Sequence, residues 1–451
     1  MSDSSQEKFP PGPPPNLLRS LFGAMQQNPL DYFTAMAQKY GDVSGMRIGK
    51  FRSLFINHPD LIEDVLVNNA RKYHNGRILQ ANKYLFGEGL LTSEGDFWLR
   101  QRRLSQPAFH RARVSAYAAT MAEYAEQMAA TWRSGEERDI HEEMMQLALR
   151  IVGKTLFDAE VTRDAKEVGE TLDLLLHLAA NFGRTILVPL WLPTPRNIRA
   201  KLGIKRLEKV IYRIIAERRA SGPDGMGIDT GDLLSILLQA QDEDGTHMND
   251  RQLRDETITL FLAGHETTAN TLSWTWMLLA QNPAVEKKFH DELDGVLGGR
   301  APTVDDLPKL AYLNHVLTES LRLYPTAWGM ARLAAEEHEI AGYPMHVGYG
   351  VAFAQWVVHR DARWFDAPLE FRPERWENGL AKQLPRFAYF PFGGGPRQCI
   401  GNTFALMEAS VVLATIGRKY RFALLPGHKV TPLASITLRP RDGIRVRLEE
   451  R

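Results

Sequence analysis

The sequence predicts a mainly α-helical protein with a small β-rich lobe, an α+β class, and three observations carry that prediction. Apolar residues recur at helical spacing through most of the stretch between residues 59 and 323. Alternating, turn-rich sequence is confined to short stretches near 43–56, 331–357 and 420–449. One helix, over 249–281, is apolar on most sides, the pattern of a helix buried inside a large core rather than lying on a surface.

The composition supports such a core. Of 451 residues, 44% are hydrophobic and 24% charged. Lys plus Arg is 55 against 54 for Asp plus Glu, a net charge of +1, so bulk charge argues against a nucleic-acid binder. A single cysteine excludes an intramolecular disulfide and a four-cysteine zinc site, and it fits a reducing compartment. Met1 to Lys8 has no basic-then-apolar signal. The charge-free run from Thr267 to Val285 carries Thr, Asn, Ser, Gln and Pro and is no membrane span. The expectation is a cytoplasmic, monomeric protein without a transmembrane anchor. Length alone suggests about three domains, but no composition break divides the chain. Residues 1–15 read as a polar, proline-rich tail and 16–451 as a single domain. The loop Gly222–Gly227 is the best linker, yet too short to separate independent domains.

Taken in order, Val43–Ile48 and Arg52–Ile56 flank Gly49-Lys50 as a hairpin. Helical patterning follows over 59–70, 95–110, 113–133, 139–158, 165–181, 198–220, 231–241, 249–281, 283–297 and 307–323. Thr185–Pro195 is apolar but broken by prolines and cannot be a long helix. Asn249 or Asp250 caps the long helix, and Asn282-Pro283 stops it. A further apolar run, Ile400 to Ile416, reads as a helix.

The lone cysteine stands just before that last helix, in Phe390-Pro-Phe-Gly-Gly-Gly-Pro-Arg-Gln-Cys-Ile-Gly401. A helix N-terminus and Arg397, two residues away, favour a thiolate at Cys399. Gly393, Gly394, Gly395 and Gly401 let a flat group approach the backbone closely. An isolated cysteine is most often buried packing; the alternatives are a nucleophile or a single ligand to a metal held by something else. The surrounding residues speak against plain packing through a family resemblance, and that resemblance implies the last. Phe392, Gly395, Arg397, Cys399 and Gly401 fill every fixed place of Phe-x-x-Gly-x-Arg-x-Cys-x-Gly, and the stretch resembles the haem-binding signature of the cytochromes P450. The resemblance runs from about Pro10 to the C-terminus. It implies a triangular helical fold, with haem b between a long central helix and the cysteine loop, and Cys399 as axial thiolate. Pro10–Pro15 is similar to the proline hinge that follows the membrane anchor of microsomal relatives; the expectation for this chain is the hinge without the anchor.

Midway along the helix 249–281 lies Ala263-Gly-His-Glu-Thr-Thr268. Stability alone does not select these residues: Gly costs about 1 kcal/mol against Ala, and the Thr267 hydroxyl reaches back to the Ala263 carbonyl. Taken alone, the patch reads as polar residues facing a neighbouring helix. It also matches the family's Ala/Gly-Gly-x-Asp/Glu-Thr-Thr/Ser motif. By that resemblance Ala263 and Gly264 face the haem, and Glu266 and Thr267 are the acid–alcohol pair that supplies protons for oxygen activation. His265 fills the variable place. A zinc helix is excluded, because position 269 is Ala where a second His is needed.

Glu319 and Arg322, spaced i, i+3, lie side by side on their helix. Such pairs are usually solvated and weak. In the family this motif is a buried network completed by an Arg, here Arg375, which supports the cysteine loop. Haem propionates need cations and donors. Trp98 and Arg102 match Trp-x-x-x-Arg, Arg332 follows the turn at Tyr324-Pro325, and Arg397 completes the set.

The resemblance implies a haem-thiolate monooxygenase that inserts one atom of O2 into a hydrophobic molecule: a fatty acid, a terpenoid or carotenoid, or a steroid-like compound. Trp328, Met330 and the stretch from about Tyr73 to Leu91 fall where relatives line the pocket, with Phe182 and Trp191 closing its roof. The run Tyr324–Trp328 is similar to fatty-acid and carotenoid hydroxylase branches. Electrons come from an external ferredoxin or flavodoxin with an NAD(P)H-dependent reductase. Basic residues Arg100, Arg102, Arg103, Arg111 and Arg113, and Arg418-Lys419, read as solvated faces or as a docking patch for an acidic redox partner. Two rival readings are a peroxide-driven peroxygenase, disfavoured by the intact Glu266-Thr267 pair, and a non-enzymatic haem-dependent ligand binder or sensor.

Overall fold

The computed structural model describes residues 8–14, 28–48, 51–81, 83–158, 171, 192–222, 227–241 and 245–451. The principal helices, in chain order, are α1 (Pro29–Tyr40), α2 (Gly95–Ser105), α3 (Arg111–Ala129), α4 (Ile140–Phe157), α5 (Pro195–Ala220), α6 (Leu233–Gln239), α7 (Asp250–Gln281), α8 (Pro283–Leu297), α9 (Ala311–Leu323) and α10 (Asn402–Gly417). Their ends follow local chemistry. Side chains of Asn28, Asp139, Thr194 and Asp232 accept backbone N–H groups at the starts of α1, α4, α5 and α6, satisfying donors that a helix leaves open. Asn249 and Gln252 cap α7 reciprocally. Pro283 opens α8 and Gly298, at φ 55, closes it. The mainly helical class with a small β part is what the patterning predicts.

The chain falls into two compact units. The first comprises Met1–Gln80, Arg322–Glu370 and Asn378–Cys399; the second comprises Ala81–Leu321, Phe371–Glu377 and Ile400–Arg451.

The first unit is built on a five-stranded sheet in the order β1-β2-β8-β5-β3. Its strands are β1 (Val43–Ile48), β2 (Phe51–Ile56), β3 (Tyr73–Asn75), β5 (Met330–Ala334) and β8 (Gly350–Phe353). β1 and β2 form the expected hairpin, with Ile48 opposite Phe51. β2 runs parallel to β8, with Ser53 opposite Gly350, and the remaining pairings are antiparallel. Leu54, Ile56, Ile62, Val65, Leu66, Val351 and Phe353 form the core. Phe387 and Phe390, just upstream of the cysteine, are buried in the same cluster. On another side Tyr32 and Met36 of α1 pack with Phe55 and Val357. The strands β6 (His338–Ile340) and β7 (Tyr343–Met345) pair separately.

In the second unit α7 packs against α4, α5 and α10, and α10 against α3. Every residue of α7 from Leu253 to Leu279 is buried except three. β4 (Glu137–Asp139), β9 (Tyr420–Leu424) and β12 (Arg445–Glu450) form a sheet in the order β4-β12-β9. β10 (Pro432–Ala434) and β11 (Leu438–Pro440) pair antiparallel.

Some elements depart from the expected bounds. The helix predicted over 59–70 ends at Glu63 and continues as a wide turn, Asp64–Asn68, because the Asn69 N–H bonds the Asp64 carbonyl five residues back and its side chain bonds the Asp64 carboxylate. α1 has no counterpart among the predicted helices. Apart from residue 171, the helix predicted over 165–181 lies outside the described residues, as do Phe182 and Trp191.

Candidate active site

The thiol loop is anchored by the core of its own unit. Phe387 and Phe390 fix its start, and the Phe390 N–H donates to His359 Nε2 at 3.0 Å. The chain then turns tightly: Gly393 N–H bonds Phe390 O, Gln398 N–H bonds Gly395 O, and Cys399 N–H bonds Phe392 O at 3.0 Å. Two glycines are required for different reasons. Gly394 lies against the Phe387 ring, where a Cβ would overlap it. Gly395, at φ +67, lies on the Leu66 carbonyl, so a side chain is excluded by both backbone angle and space. Beyond these turns Cys399 is exposed, whereas free cysteines are usually among the most buried residues.

Between Leu253 and Leu279 of α7 the three residues that escape burial are Ala263, which is exposed, and Gly264 and Thr267, which are partly so. All three belong to the sequence motif. Spacings of one, three and four residues put them on one side of the helix. The Thr267 hydroxyl donates to the Ala263 carbonyl at 2.7 Å, as predicted. Gly264 keeps the opposite contact thin: a Cβ there would come within 3.1 Å of Val152 on α4. Glu266 is buried, and its Oε1 accepts from the Thr437 hydroxyl at 2.8 Å. The Asn270 amide donates to the same Thr437 oxygen at 3.3 Å, and the Trp274 indole N–H donates to the Leu438 carbonyl at 3.0 Å. The turn between β10 and β11 is thereby held along α7. His265 points the other way, with Nε2 3.0 Å from the Met145 carbonyl, and burial pushes its ring down to about 4. It is a neutral packing residue linking α7 to α4.

Glu319 is fully buried. It accepts from Arg375 Nε at 2.8 Å, from the Trp376 indole at 2.9 Å and from the Arg372 backbone N–H at 3.1 Å. Arg322, equally buried, donates to the carbonyls of His359 and Pro368 at 2.8 and 2.7 Å and of Glu370 at 3.1 Å. Its guanidinium lies 5.0 Å from the Phe365 ring centroid. Arg322 therefore staples together the segment leading to the thiol loop, including His359, the residue that fixes Phe390.

Among the expected propionate partners, Trp98 and Arg102 are partly buried one turn apart on α2. Arg332 is buried in the centre of β5, and Arg397 is partly buried in the thiol loop. Met330 opens β5, and its thioether faces Gly393. Trp328 packs toward Phe33 of α1, ring centroids 6.2 Å apart. Of the basic residues, Arg418 and Lys419 both pair with Glu126; Arg100 bonds the Thr246 carbonyl and Arg113 the Gly231 carbonyl.

Sequence reasoning missed Thr437, Glu408, and the adjacent pair Asp255-Glu256. Glu408, on α10 nine residues after the cysteine, is wholly buried, and burial pushes its carboxyl well above the usual range. An acid inside the apolar run 400–416 was the available signal. Thr437 carried none, since nothing local ties it to a residue 171 positions away.

These features fit a haem. The chain exposes its one cysteine and an alanine within a buried helix, and each exposure is what a flat prosthetic group requires of its own surroundings. A single exposed thiol and a buried acid beside a threonine are the donor set that a haem-thiolate oxygenase would use. The cytochrome P450 family model matches residues 10–446, and the chain belongs to the cytochrome P450 family. It is 39% identical over 420 residues to "Cyclooctatin synthase" of Streptomyces melanosporofaciens, covering 92% of this chain and 90% of the relative. It is 36% identical to "Cyclooctat-9-en-7-ol 5-monooxygenase" of the same organism, over 90% and 87% of the two chains. It is 33% identical to "Pentalenene oxygenase" of Streptomyces avermitilis, over 99% of each. The family's cofactor is haem iron with a cysteine thiolate ligand and its co-substrate is O2; Cys399 is the only cysteine available. No helix among the described residues is long and apolar enough to cross a membrane.

Proposed function

We propose that this monooxygenase hydroxylates a polycyclic terpenoid hydrocarbon, or an alcohol already derived from one, by R–H + O2 + 2 electrons + 2 protons giving R–OH + water. The names of the three relatives, which refer to cyclooctatin, cyclooctat-9-en-7-ol and pentalenene, support terpenoids over fatty acids and steroids. The observation that carries the reading is the opening at Ala263, Gly264 and Thr267 in an otherwise buried helix, with Glu266 held beside it by Thr437.

In this reading Cys399 holds the iron as thiolate, and Trp98, Arg102, Arg332 and Arg397 hold the propionates. Phe392, Gly393 and Gly401 shape the approach to the ring, and Ala263 and Gly264 leave room above it. The bound haem supplies oxygen activation. Glu266 and Thr267 supply protons from the protein side, while Glu319, Arg322 and Arg375 keep the thiol loop in place. Trp328 and Met330 belong to the substrate side of β5. Residues 16–451 act as one functional domain, a cytoplasmic monomer fed by a ferredoxin or flavodoxin and its NAD(P)H-dependent reductase. Basic residues of the stretch Arg100 to Arg113, Arg100 and Arg111 among them, supply docking cations for that partner.

The test is an optical titration of the purified ferric haem protein with cyclic terpene hydrocarbons, their monoalcohols, fatty acids and steroids. A saturable Soret shift with the terpenoid set alone is expected. A shift with fatty acids or steroids and none with terpenoids overturns the substrate class.

A further inference from the structure

The strongest feature outside the site is a pair of adjacent carboxylates two turns upstream of it on α7. Asp255 and Glu256 are both buried, Glu256 completely. Each accepts a backbone N–H from one tight turn of the chain far away in sequence. Glu88 N–H donates to Asp255 Oδ2 at 2.9 Å, and Leu90 N–H donates to Glu256 Oε2 at 3.1 Å. The turn is closed on itself by Thr92, whose hydroxyl donates to the Gly87 carbonyl at 2.7 Å and whose N–H bonds the Gly89 carbonyl at 3.0 Å.

Two glycines allow the turn to lie this close. A Cβ at Gly87, which has φ +60, would overlap the Asp255 carboxyl; a Cβ at Gly89 would overlap the Thr259 hydroxyl and press on the Asp255 carbonyl. The short helix Lys83–Phe86, immediately before the turn, also packs on α7, with Phe86 buried. The clasp is braced from a third element. Arg254, 5% exposed, bonds Asp255 Oδ1 at 2.6 Å with one nitrogen and Glu208 of α5 at 2.6 Å with another. Burial pushes the Glu256 carboxyl up to about 8. At neutral pH it therefore accepts from Leu90 chiefly as an uncharged acid, which avoids a second buried charge beside Asp255.

Buried carboxylates this expensive to desolvate, matched by two glycines on the partner turn, make a built seat. We propose that Asp255 and Glu256 are positioning residues for the monooxygenase reaction: together they seat the turn 87–92 on α7 and so set which ligand sizes the protein admits. The proposal rests on the reading that residues 73–91 border the substrate. Neither carboxylate touches substrate in it; both act through the turn.

The test compares the holoprotein with Glu256→Gln, with the double variant Asp255→Ala/Glu256→Leu, and with Gly89→Ala, which unseats the turn without removing an acid. Two quantities are read: amide hydrogen exchange in peptides covering 86–92, and the ratio of dissociation constants for clotrimazole and imidazole, a bulky and a small azole, followed optically. Glu256→Gln keeps a neutral acceptor for Leu90 and should stay within twofold of the parent in both. The double variant and Gly89→Ala should each exchange at least tenfold faster and shift the azole ratio at least fivefold. Unchanged exchange overturns the seat. Faster exchange with an unchanged azole ratio overturns its link to ligand selection. A thiolate-type reduced carbon-monoxide spectrum in every variant shows that the haem reading stands independently of either result.

Discussion

Replacing Glu319 by Leu should cost most of the stability of this fold, and the size of the loss follows from its partners. The carboxylate is fully buried and accepts from the Arg375 guanidinium, the Trp376 indole and the Arg372 backbone. Removing one member of a buried ion pair costs about 3–5 kcal/mol, because the other charge is left without a partner. Two orphaned N–H donors add about 1–3 kcal/mol each. The sum reaches roughly 5–11 kcal/mol, against total stabilities of about 5–15 kcal/mol for folded domains. Glu319→Gln keeps a neutral acceptor for both N–H groups and loses mainly the charge, so it should lie nearer 3 kcal/mol. The double variant Glu319→Leu/Arg375→Met should recover part of the loss, since no isolated charge remains. The assay is urea unfolding followed by circular dichroism, together with the fraction of haem giving a thiolate-type reduced carbon-monoxide spectrum. A Glu319→Leu protein within about 1 kcal/mol of the parent would refute the reasoning, because the pair would then be no more than a surface pair.

Three further outcomes are expected. Gly395→Ala places a Cβ on the Leu66 carbonyl at φ +67; the thiol loop should shift, with the thiolate-type spectrum replaced by that of a thiol or lost, and an unchanged spectrum would show the loop to be more yielding than its packing implies. Thr437→Val removes the hydrogen bond to Glu266, worth about 1.5–3 kcal/mol if the acid is charged; product formed per O2 consumed should fall several-fold with peroxide released instead, and full coupling would remove Thr437 from the reaction. Glu256, with a folded-state value of about 8 against an ordinary 4.5, keeps its proton in the native state over a range where the unfolded chain has lost it. Its contribution to stability therefore declines as pH rises from about 4.5 to 8, by up to about 1.4 kcal/mol per unit, and levels off above. Glu256→Gln should flatten that slope in urea titrations between pH 5.5 and 8.5, whereas parallel curves for variant and parent would contradict it.

What was legible in the sequence is what short range determines. The long helix could be read to within a residue because its cap, its proline stop and its apolar surface are all local. The thiol loop could be read because its glycines, arginine and cysteine are contiguous. The illegible part lies in side chains whose burial depends on distant partners. Asp255 and Glu256 look like solvated helix charges until the N–H groups of Glu88 and Leu90 arrive from 167 and 166 positions away. Thr437 is an ordinary turn residue until Glu266 lies beside it. Trp328, read as bordering the substrate, also packs toward Phe33 of α1, a helix absent from the predicted elements. Arg322 shows the intermediate case: its motif marked it as important, but its carbonyl partners on 359, 368 and 370 could not be inferred from spacing.

The threading of the first unit bears on when this protein can mature. Its sheet pairs β2 in parallel with β8, and Arg386 reaches back to Glu63, 323 positions earlier. Lengthening such a closure adds little free energy, because the entropic cost grows only with the logarithm of loop size, but it delays folding, since contacts so remote in sequence form late. During synthesis at about 5–20 residues per second, the early strands must wait tens of seconds for their mates to emerge from the ribosome. The anchor residues Phe387 and Phe390 and the thiol itself are among the final segments to join that unit. A nascent chain therefore lacks the thiol loop until the strands of that unit have all been made, and any group the loop holds can be captured only after that point.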